Sequence, residues 1–167
     1  MKKQLKPGKI NLPLLRKAIK FAEAEARKAR VLTDPDANSA GRWNQSLWFK
    51  GTWKGETKKH NGLTYLVVEN GSCDTAMCLA GNVAYIKGAE MVASTSRVRD
   101  FEIDQHIPWV CECIPAGKRK PVSISEYAAE QLGLDFEERE RLFNGDNSIR
   151  AIRRIAKKIC ADHGQKL

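Results

Sequence analysis

The sequence predicts an α+β fold, helix-dominated, in a single compact domain with a basic N-terminal helix and a basic C-terminal helix. Three observations predict it. Apolar residues recur at helical spacing near both ends of the chain, short stretches rich in β-formers lie between them, and positive charge gathers at the two ends. Residues 1–30 carry ten Lys and Arg against two Glu, and residues 148–167 carry six against one Asp, so the span between them is net negative although the whole chain is +9. With 167 residues and 42% hydrophobic content, the chain can bury one sizeable core and is not disordered throughout. The expected organisation is a basic arm and N-terminal helix over 1–36 and a compact α+β core domain over 37–167.

In chain order, residues 1–10 read as a basic, mobile arm. A helix follows from Leu12 to Val31, capped by Asn11 and carrying Pro13 in its first turn, where a missing N–H costs nothing. Leu15, Ala18, Ile19, Ala22, Ala26 and Ala29 form its apolar stripe, and Arg16, Lys20, Arg27 and Arg30 lie on another face, with Glu23 four residues before Arg27. Gly51–Gly62 reads as a flexible loop with Lys58, Lys59 and His60 at its tip. Leu63–Val68 reads as a strand, Asn70-Gly71 as a turn, and Thr75–Lys87 as a helix closed by Gly88. Met91–Val98 and Phe101–Ile114 read as strands or extended segments, limited by Pro108 and Pro115, and 117–121 is a basic loop. Ser123 and Glu126 match a capping box for a helix that stops at Gly133. A short acidic helix, Asp135–Phe143, precedes a last helix from Ile149 to His163, capped by Ser148. That helix buries Ile149, Ile152, Ile155, Ala156 and Ile159 and turns Arg150, Arg153, Arg154, Lys157 and Lys158 outward.

No apolar run approaches the roughly 20 residues of a membrane helix, and no apolar stretch with a cleavage site follows the charged start, which points to the cytoplasm without membrane contact. Five cysteines, an odd number, read as reduced thiols rather than a disulfide scaffold.

Four constellations are candidates for chemistry or binding. Cys73 stands just before the helix expected from Thr75, whose positive end favours a thiolate; its least implausible base is His106. Cys73, Cys78, Cys111 and Cys113 are four thiols that metal binding would require, but their spacings match no zinc knuckle. The simpler reading of these residues is packing, with Glu137 and Glu138 as surface charge and no catalytic residue, metal or cofactor. Trp43, Trp48 and Trp53, five residues apart, read first as a core patch and otherwise as a base-stacking platform or a partner hot spot. The basic residues of the terminal helices, Arg16, Lys20, Arg27, Arg150, Arg153, Arg154, Lys157 and Lys158, suit an acidic partner. The last helix carries no Asn, Gln or Ser in its basic span to read base edges, so an acidic protein is favoured over nucleic acid. Phosphate-binding glycine loops, metalloprotease helices and nucleophile elbows are missing from the sequence.

Several motifs recur in a fixed order: Trp43-Asn-Gln-Ser-Leu-Trp48, Cys73-Asp-Thr-Ala-Met-Cys-Leu-Ala-Gly81, Ala129-Glu-Gln-Leu-Gly-Leu134, then Leu142-Phe143 and Asn147. Their combination resembles a group of small uncharacterised proteins of actinobacteriophages and their mycobacterial hosts, across roughly residues 43–155. Asp74 stands where that group usually has Gly, and Asn82 where it often has His or Trp. The resemblance implies a shared fold and a phage-type accessory role, with no activity to carry over. The expectation is therefore a non-catalytic accessory protein that binds an acidic host or phage protein in the cytoplasm. The alternatives are nonspecific nucleic-acid binding through the terminal helices, a virion-associated structural role, and a cysteine-dependent enzyme.

Overall fold

Helix α1 (Leu12–Val31) opens the described part of the chain. In a computed structural model, residues 9–31, 51–69, 78–94, 106–107 and 110–167 are described, with side chains described except at 25–31, 51–55, 69 and 106–107. The Asn11 carboxamide oxygen accepts from the Leu14 amide at 3.3 Å, which satisfies one of the donors a helix start leaves open. Leu14, Leu15, Ala18, Ile19 and Ala22 are buried at the spacing of one helical face. The same cluster contains residues of every other helix, so α1 belongs to the main core.

The remaining elements are β1 (Gly51–His60), β2 (Leu63–Glu69), α2 (Leu79–Ile86), β3 (Glu90–Ser94), β4 (His106–Ile107), β5 (Glu112–Ile114), β6 (Val122–Ser123), α3 (Ile124–Leu132), α4 (Phe136–Leu142) and α5 (Ile149–Asp162). The fold is mixed α+β. The strands form one antiparallel sheet in the order β4-β1-β2-β3-β5-β6. Period-two alternation divides its faces. Leu66, Val68, Met91, Ala93 and Cys113 join the helices in the main core, whereas Tyr65, Val92 and Ile114 cluster on the other face. No helix among the described residues is long and apolar enough to cross a membrane.

Three elements differ from the sequence reading. The segment expected as a loop over Gly51–Gly62 is strand β1, paired with β2 from Thr52↔Glu69 to His60↔Leu63 with an irregularity between Trp53 and Thr57. Asn61 (φ 50°) and Gly62 (φ 76°) make the hairpin turn, both in the left-handed region that the two-residue turn with matching twist requires. Helix α2 begins at Leu79 rather than Thr75. Its N-cap is Cys78, in extended conformation, whose sulfur accepts from the Gly81 amide at 3.4 Å.

The capping box also moves. Ser123 is the N-cap of α3 but makes no side-chain cap bond; its Oγ lies 3.0 Å from the Ser125 Oγ. Ser123 is also the last residue of β6, paired with Glu112, and the Ile124 amide donates to the Cys111 carbonyl at 2.9 Å. The sheet thus satisfies the backbone there, and Glu126 stays out in solvent. The box forms instead at α4, where the Asp135 carboxylate accepts from the Glu138 amide at 2.8 Å and the Glu138 carboxylate accepts from the Asp135 amide at 3.0 Å.

Gly133 closes α3 with φ 77°, and the Leu134 amide donates back to the Ala129 carbonyl at 2.9 Å. A Cβ at this position would stand 2.8 Å from the Lys9 carbonyl oxygen, so the strand of chain entering α1 passes directly over the end of α3. The Asn11 amide then donates to the Leu132 carbonyl at 2.9 Å, which fixes the entry to α1 on the α3 terminus.

Candidate functional site

Helix α5 is the most strongly amphipathic element of the sequence, and its start is well determined. The Ser148 hydroxyl accepts from the Ala151 amide at 3.2 Å. In the turn before it, the Asn147 carboxamide donates to the Arg141 carbonyl at 2.8 Å, tying α5 to the end of α4. Ile152, Ala156, Ile159 and Cys160 are buried, while Ile149 and Ile155 are half-buried at the margin of the stripe. Arg150, Arg153, Arg154, Lys157 and Lys158 are exposed.

Two cross-links set α5 against α1. An Arg16 guanidinium N–H donates to the Lys166 carbonyl at 2.8 Å, just beyond α5, and an Arg153 N–H donates to Glu23 at 2.9 Å. Rising numbers on α1 meet falling numbers on the C-terminal segment, so the two helices run antiparallel. Gln165 strengthens the junction: its carboxamide accepts from the Ile10 amide at 3.0 Å and donates to the Ile10 carbonyl at 3.2 Å. Segments some 130 to 155 positions apart in sequence therefore lie side by side.

The charges along this seam are unevenly matched. Glu23 pairs with Arg153 across the helices. Lys158 pairs with Asp162 one turn on, at 3.3 Å. Lys17, Lys20, Arg150, Arg154 and Lys157 are exposed, and among the described residues they form no ion pair. Arg16 donates to a carbonyl and has no ion pair among the described residues. This leaves exposed cations on two packed helices, which can attract anionic groups.

The cysteines occupy a different environment. The thiol at the helix N-terminus is Cys78, and it is fully buried in the main core; burial pushes it up to about 12, against weaker lowering from the backbone N–H groups around it. Desolvation therefore outweighs the helix end, which is the reverse of what a nucleophile needs. Cys113 is buried on β5, and burial pushes it up to about 12 as well. Cys111 is half-buried and directly precedes β5. Among the described residues no three His, Cys, Asp or Glu side chains gather as a metal site. Cys73, Trp43 and Trp48 lie outside the described residues, and the side chains of Arg27, Trp53 and His106 do too.

Glu138 corrects the surface-charge reading. It is only 8% exposed, and its carboxylate lies 2.8 Å from Nε2 of His163. An ionised carboxylate can only accept, so the imidazole donates through Nε2. Sequence reading missed the pair because the partners are 25 residues apart on separate helices; the capping-box spacing of Asp135 and Glu138 was its one available signal.

Neither a protein-family model, nor a curated protein, nor a solved structure matches the chain.

Proposed function

We propose that this protein is a non-catalytic binding protein, one compact domain with a basic helix from each end, whose α1/α5 face engages an acidic protein partner. The supporting observation is the antiparallel packing of the two helices. It turns two basic segments at opposite ends of the sequence into one surface, with Lys20, Arg154 and Lys157 among its uncompensated cations. Glu23 and Asp162 interrupt that surface. Interspersed carboxylates suit a partner with discrete acidic side chains better than a continuous phosphate track, which favours protein over nucleic acid. The resemblance to actinobacteriophage and mycobacterial proteins would make it a phage-type accessory protein, and its partner a host or phage protein of the cytoplasm.

The test is recovery of partners from host lysate, with and without nuclease, by the full chain and by Arg154→Glu/Lys157→Glu. A discrete protein that survives nuclease and is lost with the double charge reversal is the expected result. Nucleic acid alone, lost on digestion, would overturn the protein reading in favour of phosphate binding. Equal recovery by both chains would remove the α1/α5 face from the interaction.

A further inference from the structure

Away from the α1/α5 seam, a cleft of about 760 Å³ lies among the end of α2, the 115–120 loop and α3. That volume is in the range of small-molecule sites. Its positive charge comes from Lys87, Lys118, Arg119 and Lys120. The last three are successive and exposed: Lys118 ends a tight turn, its amide donating to the Pro115 carbonyl at 2.9 Å, and Arg119 and Lys120 follow it.

The remainder of the cleft differs in chemistry. Glu126 and Glu130 sit four residues apart on α3 and so share one face of it. Glu126 stands 3.9 Å from an Arg139 nitrogen, whereas Glu130 has no ion pair among the described residues. Val122 and the largely buried Tyr127 supply apolar surface. His60, at the end of β1, lines the cleft, and its Nε2 is buried with no hydrogen-bond partner among the described residues. A buried polar atom without a partner costs free energy, and a ligand group that bonds to it recovers that cost.

Four cations and two carboxylates leave two positive charges, which a phosphomonoester dianion would balance. The carboxylates argue against a polyanion, because each would face a phosphate it repels. They do suit hydroxyl donors, as an acidic side chain does for a ribose. Apolar and aromatic surface beside them suits a flat ring. We propose that this cleft binds a nucleoside monophosphate, with the phosphate on Lys87 and the Lys118–Lys120 segment and the sugar hydroxyls on Glu130. None of its residues belongs to the α1/α5 face, so the site is independent of the protein partner.

Calorimetric titration of the full chain with adenosine, cytidine and guanosine monophosphates, and with inorganic phosphate, tests this directly. At least one nucleotide should bind about tenfold or more tighter than inorganic phosphate, because sugar and base add contacts. Lys118→Ala/Lys120→Ala, in an exposed segment, should weaken both ligand types. Glu130→Gln should weaken the nucleotide several-fold while leaving inorganic phosphate unchanged or tighter, since it removes an acceptor for the sugar and a repulsion for the anion. Nucleotide and phosphate binding with equal affinity would reduce the cleft to a nonspecific anion patch and overturn the proposal. So would a parallel effect of Glu130→Gln on both ligands, or the absence of nucleotide binding at millimolar concentration.

Discussion

Helix α5 is held by two contacts to largely buried carboxylates, and they differ in how exposed the partner on the C-terminal segment is. Near its N-terminal half, Arg153 reaches Glu23 of α1, and the Arg153 side chain is 57% exposed. At its C-terminal end, His163 meets Glu138 of α4, with both side chains about a tenth exposed or less. In the first contact only the Arg153 end faces water and salt, the Glu23 side chain being 13% exposed. The second has exchanged its water for protein, and Glu138 uses its other oxygen to accept from the Asp135 amide. Removing one partner there leaves a polar group buried and unsatisfied. Burial, rather than distance or sequence separation, should decide what each contact contributes.

The largest effect should follow from Glu138→Ala. It breaks the contact to His163 and one half of the α4 capping box together. A loss of about 3 kcal/mol is expected, combining a broken buried pair with a lost cap. Urea unfolding of Glu138→Ala, Glu138→Gln and His163→Ala would measure it, with Glu138→Gln the mildest because it keeps a hydrogen-bond acceptor at the same place. If Glu138→Ala costs no more than Arg153→Ala, burial is not the deciding variable.

Gly133→Ala probes the neighbouring junction without altering any charge. Its φ of 77° disfavours a side chain, and the Lys9 carbonyl stands where the Cβ would go. A loss of about 2 kcal/mol is expected from strain and from displacement of the chain entering α1. Amide exchange should show Asn11, whose N–H is held by Leu132 just beside it, losing protection first. Unchanged protection at Asn11 would mean that the close approach relaxes without cost.

Buried thiols extend the contrast to groups that are neutral in the fold. Cys78 and Cys113 are pushed from 9.0 up to about 12, so above pH 9 the unfolded chain releases protons that the folded chain keeps. Stability should be unaffected below pH 9 and should fall between 9 and 12, with a slope of up to about 1.4 kcal/mol per pH unit for each thiol. Unfolding curves of Cys78→Ala and Cys113→Ala across that range give the check: each variant should be less stable at neutral pH yet show a shallower alkaline decline. A decline unaltered by both substitutions would assign it to other groups.

The contrast also marks what could be read from the residues. Helix α1 with its Asn11 cap, and α5 with its Ser148 cap and isoleucine stripe, were legible because cap chemistry and a period near 3.6 are local. β1 was not. Its Lys, Gly and Glu residues hide a strand whose register comes from pairing with β2, although Asn61-Gly62 carried the turn signal. Ser123 and Asp135 both head a Ser/Asp-x-x-Glu spacing, and only the sheet hydrogen bonds at Ser123 decide which becomes the box. The basic residues were visible one by one. That α1 and α5 lie antiparallel, and that Glu23 meets Arg153, is tertiary information. The 117–121 segment reads as a basic loop, but the meeting of its cations with Glu126, Glu130 and His60 in one cleft depends on the packing of separate elements.

The smallest effect should belong to Glu23 and Arg153. As a pair whose Arg153 end is exposed, it should yield a coupling of only about 0.5 kcal/mol in a double-mutant cycle, reduced further in high salt. Its consequence for binding is of the opposite size. Arg153→Ala removes one cation that is already compensated, so affinity for an acidic partner should change little. Glu23→Ala instead frees Arg153 to meet the partner and should strengthen capture. Measured side by side, the two substitutions would alter stability alike and binding unlike. If Glu23→Ala weakens capture instead, the carboxylate itself contacts the partner, and the face recognises a mixed-charge surface rather than an acidic one.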